Sequence, residues 1–315
     1  MIEIILIILP VFLLVGTGFA CARLGYLDAG LSDALNAYAV KLAVPVLLFS
    51  AMLRLDLSAA YHPPMLIAFY AGAFVCFAVA IVLARTVWQR RAGESVAVGF
   101  AAMFSNTLLL GLPIMQRAYG EESLAPVFGI ISLHAPVLYI VGIVTMELSR
   151  RDGRPLGETL AAAMRSLLTN ALMIGIAAGL CLNLVGVDLP EPVSAAVAMI
   201  ATSAIPVSLV GIGAALTRYQ LKAELAESLM VAVLALILHP ALVLVLTQYV
   251  LGLPADHVRA AVVLAAMPPG MNIYIFAVMY DRAVALSASA MIVATCASVI
   301  TIALWLALLR HLLPV

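Results

Sequence analysis

Ionisable side chains are what this chain has least of. Sixteen Lys and Arg and sixteen Asp and Glu make up 10% of 315 residues, where soluble domains carry about a quarter. Their charges cancel to zero, which leaves no basic surface for nucleic acid and no polybasic patch for a membrane surface. The four cysteines, Cys21, Cys76, Cys181 and Cys296, lie in or at the ends of apolar stretches, with no spacing that suggests a metal site or a disulfide framework. There is no HExxH, no GxSxG and no pair of aspartates inside an apolar run, so hydrolytic chemistry lacks its metal site or nucleophile. Fourteen methionines form no MxxM cluster and read as packing residues. Nothing here implies an enzyme, a cofactor or a resident metal.

What the chain has instead is apolar length. It is 65% hydrophobic, with mean hydropathy +1.18, the composition of a membrane-embedded protein. At ~20 apolar residues per helical span, it holds about ten spans and no soluble domain. Apolar runs at 3–23, 35–53, 63–85, 95–119, 123–147, 165–186, 193–216, 225–251, 258–280 and 284–309 are the candidates. They are long, rich in Leu, Ala and Val, and do not alternate, which argues against a barrel built from ~10-residue strands. The first run resembles a signal peptide at Ala20-Cys21-Ala22, but Glu3 stands where a basic residue belongs, so it reads as a span. Assigning basic residues to alternate loops puts Arg23, Arg85, Arg90, Arg91, Arg150, Arg151, Arg154, Arg165, Arg218, Lys222 and Arg282 on one side. Arg54, Arg117, Arg259 and Arg310 fall on the other. The richer side is cytoplasmic by the positive-inside rule, which leaves both termini extracytoplasmic in the plasma membrane.

The most charged connection, SRRDGRPLGE at 149–158, divides the spans five and five. An odd number per half turns the second half over, the plan of many secondary transporters. The expected fold is all-α: ten transmembrane helices as two inverted five-helix repeats, with residues 1–148 first, a cytoplasmic connection at 149–164, and residues 165–315 second. A shift of 161 residues lays KLAVPVLLFSAML (41–53) over TSAIPVSLVGIGA (202–214), with Pro45 on Pro206. The fourth and ninth spans then correspond as segments, although Pro268 falls opposite Thr107 rather than Pro113.

Both of those spans carry helix breakers. Proline lacks an N–H and crowds the carbonyl four residues back, and glycine weakens the neighbouring turn. Each span is therefore expected to be two half-helices, with Pro113 and Pro269 suited to first positions of new half-helices. Unpaired backbone is tolerated in a membrane only inside protein or beside a wet cavity, and Asn106, Thr107 and Asn272 supply polar groups there. Two crossing breaks at mid-membrane present helix N-termini, a natural seat for an anion.

SNTLLLGLPIMQRAYGEES, AVPVLLFSAM, LHPALVL and AMPPGMNIYIFAVMY resemble the corresponding spans of the auxin efflux carrier family, which includes plant auxin transporters and bacterial malate or malonate permeases. The resemblance runs through most spans in order. It implies ten spans, a scaffold part and a transport part, a homodimer, and substrate held where spans four and nine cross. Carried over by motif, the crossing residues are Asn106, Thr107, Gly111 and Pro113 with Pro268, Pro269 and Gly270. The long central loop of the plant proteins is absent, which points to the compact bacterial type and removes the argument for auxin itself.

Other polar residues are weaker candidates. Lys41, four residues before Pro45, is either the cation facing an anionic substrate or a lysine that snorkels to the interface. Ser50, Ser203 and Ser208 flank the paired prolines and either face the crossing or pack helices. His134 and His239 each adjoin a proline and read as hydrogen-bonded core histidines before proton carriers. No acidic residue lies near the middle of a span, which argues against carboxylate-based ion coupling. The expected activity is transport of a small organic anion, a mono- or dicarboxylate, across the lipid bilayer. Efflux driven by the membrane potential stands first; ion-coupled or exchange uptake of malate-like dicarboxylates, an anion channel and a ligand sensor are the alternatives.

Overall fold

The computed structural model describes residues 2–149, 165, 169–218 and 224–313. The connecting segment 149–164 lies almost entirely outside the described residues, with Arg150, Arg151 and Arg154, and so does Lys222. Among the described residues all regular structure is helical: α1 (Ile2–Arg23), α2 (Ala29–Leu53), α3 (Pro63–Thr86), α4 (Ala92–Met103), α5 (Leu112–Tyr119), α6 (Leu124–Ser149), α7 (Ala171–Val185), α8 (Glu191–Leu216), α9 (Leu225–Val250), α10 (Ala255–Ala265), α11 (Met271–Tyr280) and α12 (Val284–Leu312). Seven helical stretches are long and apolar enough to cross a membrane, while α4, α7 and α11 are shorter apolar helices. This is a multi-span helical membrane protein.

The helices gather into two groups. In one, α1 packs along α8, and α2 packs against both α7 and α8. In the other, α3 lies on α4, α9 on α12 and α10, and α6 against α4 and α10. Without a hydrophobic drive between helices in lipid, close approach depends on small residues. Gly18 of α1 faces the Val210 carbonyl, Gly213 of α8 faces the Val15 carbonyl, and Gly175 of α7 faces the Pro45 carbonyl so closely that a Cβ would collide with backbone. The small residues of GIGAAL are thus spent inside the first group, where Gly211 also abuts Asn36.

Prolines do not break these helices where the sequence suggests. At Val44-Pro45, Leu112-Pro113 and His239-Pro240 the residue before proline donates to a carbonyl five positions back: Val44 to Ala39, Leu112 to Thr107, His239 to Leu234. One wide turn moves the crowded carbonyl away from the ring, and the helix runs on. Pro113 therefore begins no half-helix; the wide turn Thr107–Gly111 joins α5 directly. Pro269 is likewise displaced, because Gly270 caps α11 and the helix starts at Met271. Pro206, the sequence counterpart of Pro45, sits inside α8 with no wide turn.

A Gly213→Val substitution should lower stability by ~1–3 kcal/mol through overpacking, read as a lower melting temperature in detergent. Gly16→Val on the same α1, where a Cβ meets nothing within 4 Å, should stay within about 0.5 kcal/mol of wild type. Equal melting temperatures for the two variants would refute the glycine contact as the packing constraint.

Candidate functional site

The true interruptions are Phe104–Asn106, between α4 and the wide turn, and residues 266–270, between α10 and α11. They cross each other. Ser105 and Pro269 form an isolated antiparallel bridge, and the Asn106 N–H donates to the Pro268 carbonyl at 2.8 Å. Each break thereby satisfies backbone that the other leaves open, which low-polarity surroundings demand. At the 161-residue shift, 104–106 falls on 265–267, which overlaps the start of the second break.

Gly270 is needed at the crossing. A Cβ there would lie 3.2–3.4 Å from the Asn106 side chain, so a larger residue would push that amide out of place. Gly111 serves packing instead: its Cβ position is filled by Leu264, and neither it nor the buried Pro113 lines the cavity described next.

A cavity of about 150 Å³ opens beside the crossing. Its walls come from both helix groups: Val40, Val44 and Leu48 of α2 with Leu172, Met173 and Ile176 of α7 on one side. Phe104 to Leu109, Ile131, His134 and Ala135 of α6, and Gly270 to Asn272 with Ile275 form the other. The volume is well above the ~10–15 Å³ that one water needs and below the ~300 Å³ at which pockets for drug-sized ligands begin. It suits a small solute.

The polar wall is arranged asymmetrically. Asn106 Oδ1 accepts from the Leu109 N–H at 3.3 Å, capping the half-helix, so its Nδ2 hydrogens remain for a ligand. Asn272 Oδ1 accepts from the Tyr139 hydroxyl at 3.1 Å, which turns its Nδ2 the same way. Neither Nδ2 has a protein partner among the described residues. The α11 N-terminus has no side-chain cap and adds its helix-end dipole. Among the described residues no Asp, Glu, Lys or Arg lines the cavity. His134, 3% exposed, donates from Nε2 to the Ser105 carbonyl at 2.9 Å, because a carbonyl can only accept. Its Nδ1 is then an acceptor, itself buried and without a hydrogen-bond partner among the described residues.

At the end bearing Glu3, polar contacts tie the two groups together. Arg117 donates to the carbonyls of Leu6 at 3.3 Å and Ile7 at 2.8 Å; Leu6 is the residue whose carbonyl Pro10 leaves without its helical donor. Arg310 pairs with Glu3 at 3.3 Å.

Asn106, Thr107, Gly270 and Asn272 are thus brought together at the cavity. Pro268 and Pro269 build the crossing beneath it. Lys41 is exposed in the wide turn of α2 and does not line the cavity, as expected of a lysine that reaches an interface. Ser50 and Ser208 also stay out; Ser208 is buried with its hydroxyl unpartnered, and Ser203 pairs with Tyr38 at 2.8 Å between α2 and α8. Residue patterns missed Ser105, whose carbonyl holds His134, and Tyr139, whose only distinction is its place across from Asn272. His134 is both a core histidine and part of the wall.

Residues 3–306 match the model of a family described as Membrane transport protein. A curated protein of Rhizobium meliloti named "Putative malonate transporter" is 23% identical over 98% of this chain and 97% of its own length. An "Uncharacterized transporter" of Methanothermobacter thermautotrophicus is 24% identical over 95% of this chain and 96% of its own.

Removing the tyrosine hydroxyl should release the Asn272 amide without touching a ligand. Tyr139→Phe costs one neutral hydrogen bond, about 1 kcal/mol, and should weaken substrate affinity roughly fivefold while lowering the melting temperature by no more than about 4 °C. An affinity equal to wild type would show that the Tyr139 bond does not set the Asn272 orientation.

Proposed function

Because the chain belongs to the membrane transport protein family, whose members its motifs resemble, we propose that it is a secondary transporter of small organic anions, malonate-like dicarboxylates foremost. One observation carries the anion reading. The two asparagine amides at the crossing have their oxygens engaged by protein donors, so what they offer to the cavity is N–H. Donors held in place by their own acceptors are the pattern that favours a carboxylate. The name of the Rhizobium meliloti relative supports the dicarboxylate class, and the cavity volume suits a solute of that size.

Alternating access is supported by the division of the cavity wall. One group of helices contributes only apolar side chains, and the other carries every polar one. Rocking the α3–α6 and α9–α12 group against α1, α2, α7 and α8 carries the crossing with its ligand from one side of the membrane to the other. We read the spans as ten in two inverted repeats, on the matching registers of the two breaks. The excess of basic residues in alternate loops supports an orientation with both termini outside the cell. With no cationic side chain among the described residues lining the cavity, substrate charge moves largely uncompensated, and an inside-negative potential favours export by about 2.3 kcal/mol per charge per 100 mV.

The test is flux of labelled malonate and related carboxylates in proteoliposomes under a potassium diffusion potential. Wild type should move carboxylate toward the positive side. Asn106→Asp keeps an oxygen for the Leu109 N–H but loses the amide donors and adds negative charge, so flux should fall at least tenfold while the melting temperature holds. The reading is sunk if no carboxylate moves under any imposed gradient, or if Asn106→Asp transports like wild type.

A further inference from the structure

A second, smaller cavity lies across the crossing from the first. It holds about 30 Å³ and is lined by Asn106, Leu109 and Gly270 of the crossing, Ile212 of α8, and Met291 and Thr295 of α12. Asn106, Leu109 and Gly270 line the larger cavity as well, so the crossing is a partition with a space on each face. The walls of the two spaces correspond. At the 161-residue shift α2 falls on α8 and α6 on α12, and His134 of the larger cavity falls on Thr295 of the smaller one.

The two spaces differ in how tightly they are shut. The same shift sets α1 on α7 and α5 on α11. α1 packs against both α5 and α12, whereas α7 packs closely on α2 alone among the described helices. Beside the larger cavity the frame helix α7 therefore stands off from the group that carries the crossing. Beside the smaller cavity its counterpart α1 is drawn in. Arg117 of α5 holds it there, donating to the carbonyls of Ile7 at 2.8 Å and Leu6 at 3.3 Å, and Arg310 of α12 adds its pair with Glu3. Pro10 leaves the Leu6 carbonyl without its helical donor, which makes it a ready acceptor for the guanidinium.

We propose that the smaller cavity is the substrate site of the other access state, closed in this structure, and that it opens toward the opposite side of the membrane when Arg117 releases α1. Inverted repeats related by a two-fold axis in the membrane plane give half-pathways that open to opposite sides. A space of about 30 Å³ has room for a water and none for a dicarboxylate, so it widens as the larger cavity closes. Asn106 and Gly270 stay with the substrate in both states, while the frame wall changes from α2 and α7 to α8. Thr295 then occupies the wall position that His134 occupies in the larger cavity. This rests on the alternating-access reading above and adds Ile212, Met291 and Thr295 to the path.

The experiment follows reaction of introduced cysteines with a membrane-impermeant methanethiosulfonate in sealed right-side-out and inside-out vesicles. Labelling is read at each site by peptide mass spectrometry, so the native cysteines stay in place. Ala135→Cys, in the larger cavity, should react from one side. Thr295→Cys should react from the opposite side alone, at a rate that malonate cuts at least fivefold. Adding Arg117→Ala should raise that rate at least threefold and slow the labelling of Ala135→Cys. Met291→Cys should behave as Thr295→Cys does, and it decides the question if Thr295→Cys fails to fold. If wild type moves malonate but the α12 cysteines stay unlabelled from both sides, react from the same side as Ala135→Cys, or react at a rate malonate leaves untouched, this inference is overturned and the transport reading stands. If wild type moves no carboxylate at all, the transport reading itself falls. Rates unchanged by Arg117→Ala overturn the part assigned to Arg117.

Discussion

A peptide group that leaves a helix inside a bilayer finds no water to bond, and the organisation of this protein turns on how two such interruptions satisfy each other. Ser105 with Pro269, and Asn106 with Pro268, make a strand-like contact only a residue or two long in an otherwise helical chain. That contact fixes where the half-helices point and how close they come. Gly270 permits the approach, since a Cβ there would press on the Asn106 side chain at 3.2–3.4 Å. The donors that line the cavity are consequences of this arrangement: capping the wide turn occupies the oxygen of Asn106, and the second half-helix begins with no side-chain cap.

The division of labour between the two helix groups follows from packing. Glycine contacts between α1 and α8 and between α2 and α7 bring backbones together with little to slide on, which suits a fixed frame. The facing group meets that frame across an apolar wall and, at one end, through a few polar ties such as Arg117 on the carbonyls of Leu6 and Ile7. Apolar contact between side chains resists lateral motion far less than interlocked backbone does. The polar chemistry lies entirely on the group with the breaks, which is the arrangement that the proposed rocking motion requires.

The difference between reading residues and seeing coordinates is clearest at the prolines. Pro113 has every mark of a helix breaker, yet a turn one residue wider absorbs it. Six unbroken residues, Thr107 to Leu112, separate it from the real gap at Phe104–Asn106, where no residue is a strong breaker. Pro268 and Pro269 do mark their gap. An isolated proline costs one hydrogen bond and one clash, which a wide turn can relieve; a double proline beside glycine costs more than a turn can absorb. Lys41 illustrates the same limit. Its position in the sequence allowed either a buried or an interfacial role, and only the rotation of α2 about its axis, set by packing on α7 and α8, sends it outward.

Composition alone determined that the chain lies in a membrane and is helical, since apolar length and scarce charge leave no other way to satisfy the backbone. The positions of Asn106, Thr107, Gly270 and Asn272 beside unusual sequence also singled out the crossing before any coordinates. What tertiary structure decided was the direction of each polar atom: that both asparagines turn nitrogen toward the cavity, that His134 spends one nitrogen on Ser105 and leaves the other bare, and that Tyr139 holds Asn272. The directions of His134 and Asn272 depend on hydrogen bonds between residues 29 and 133 positions apart, and hydrophobic patterning carries no information about which side of a helix will face such a partner.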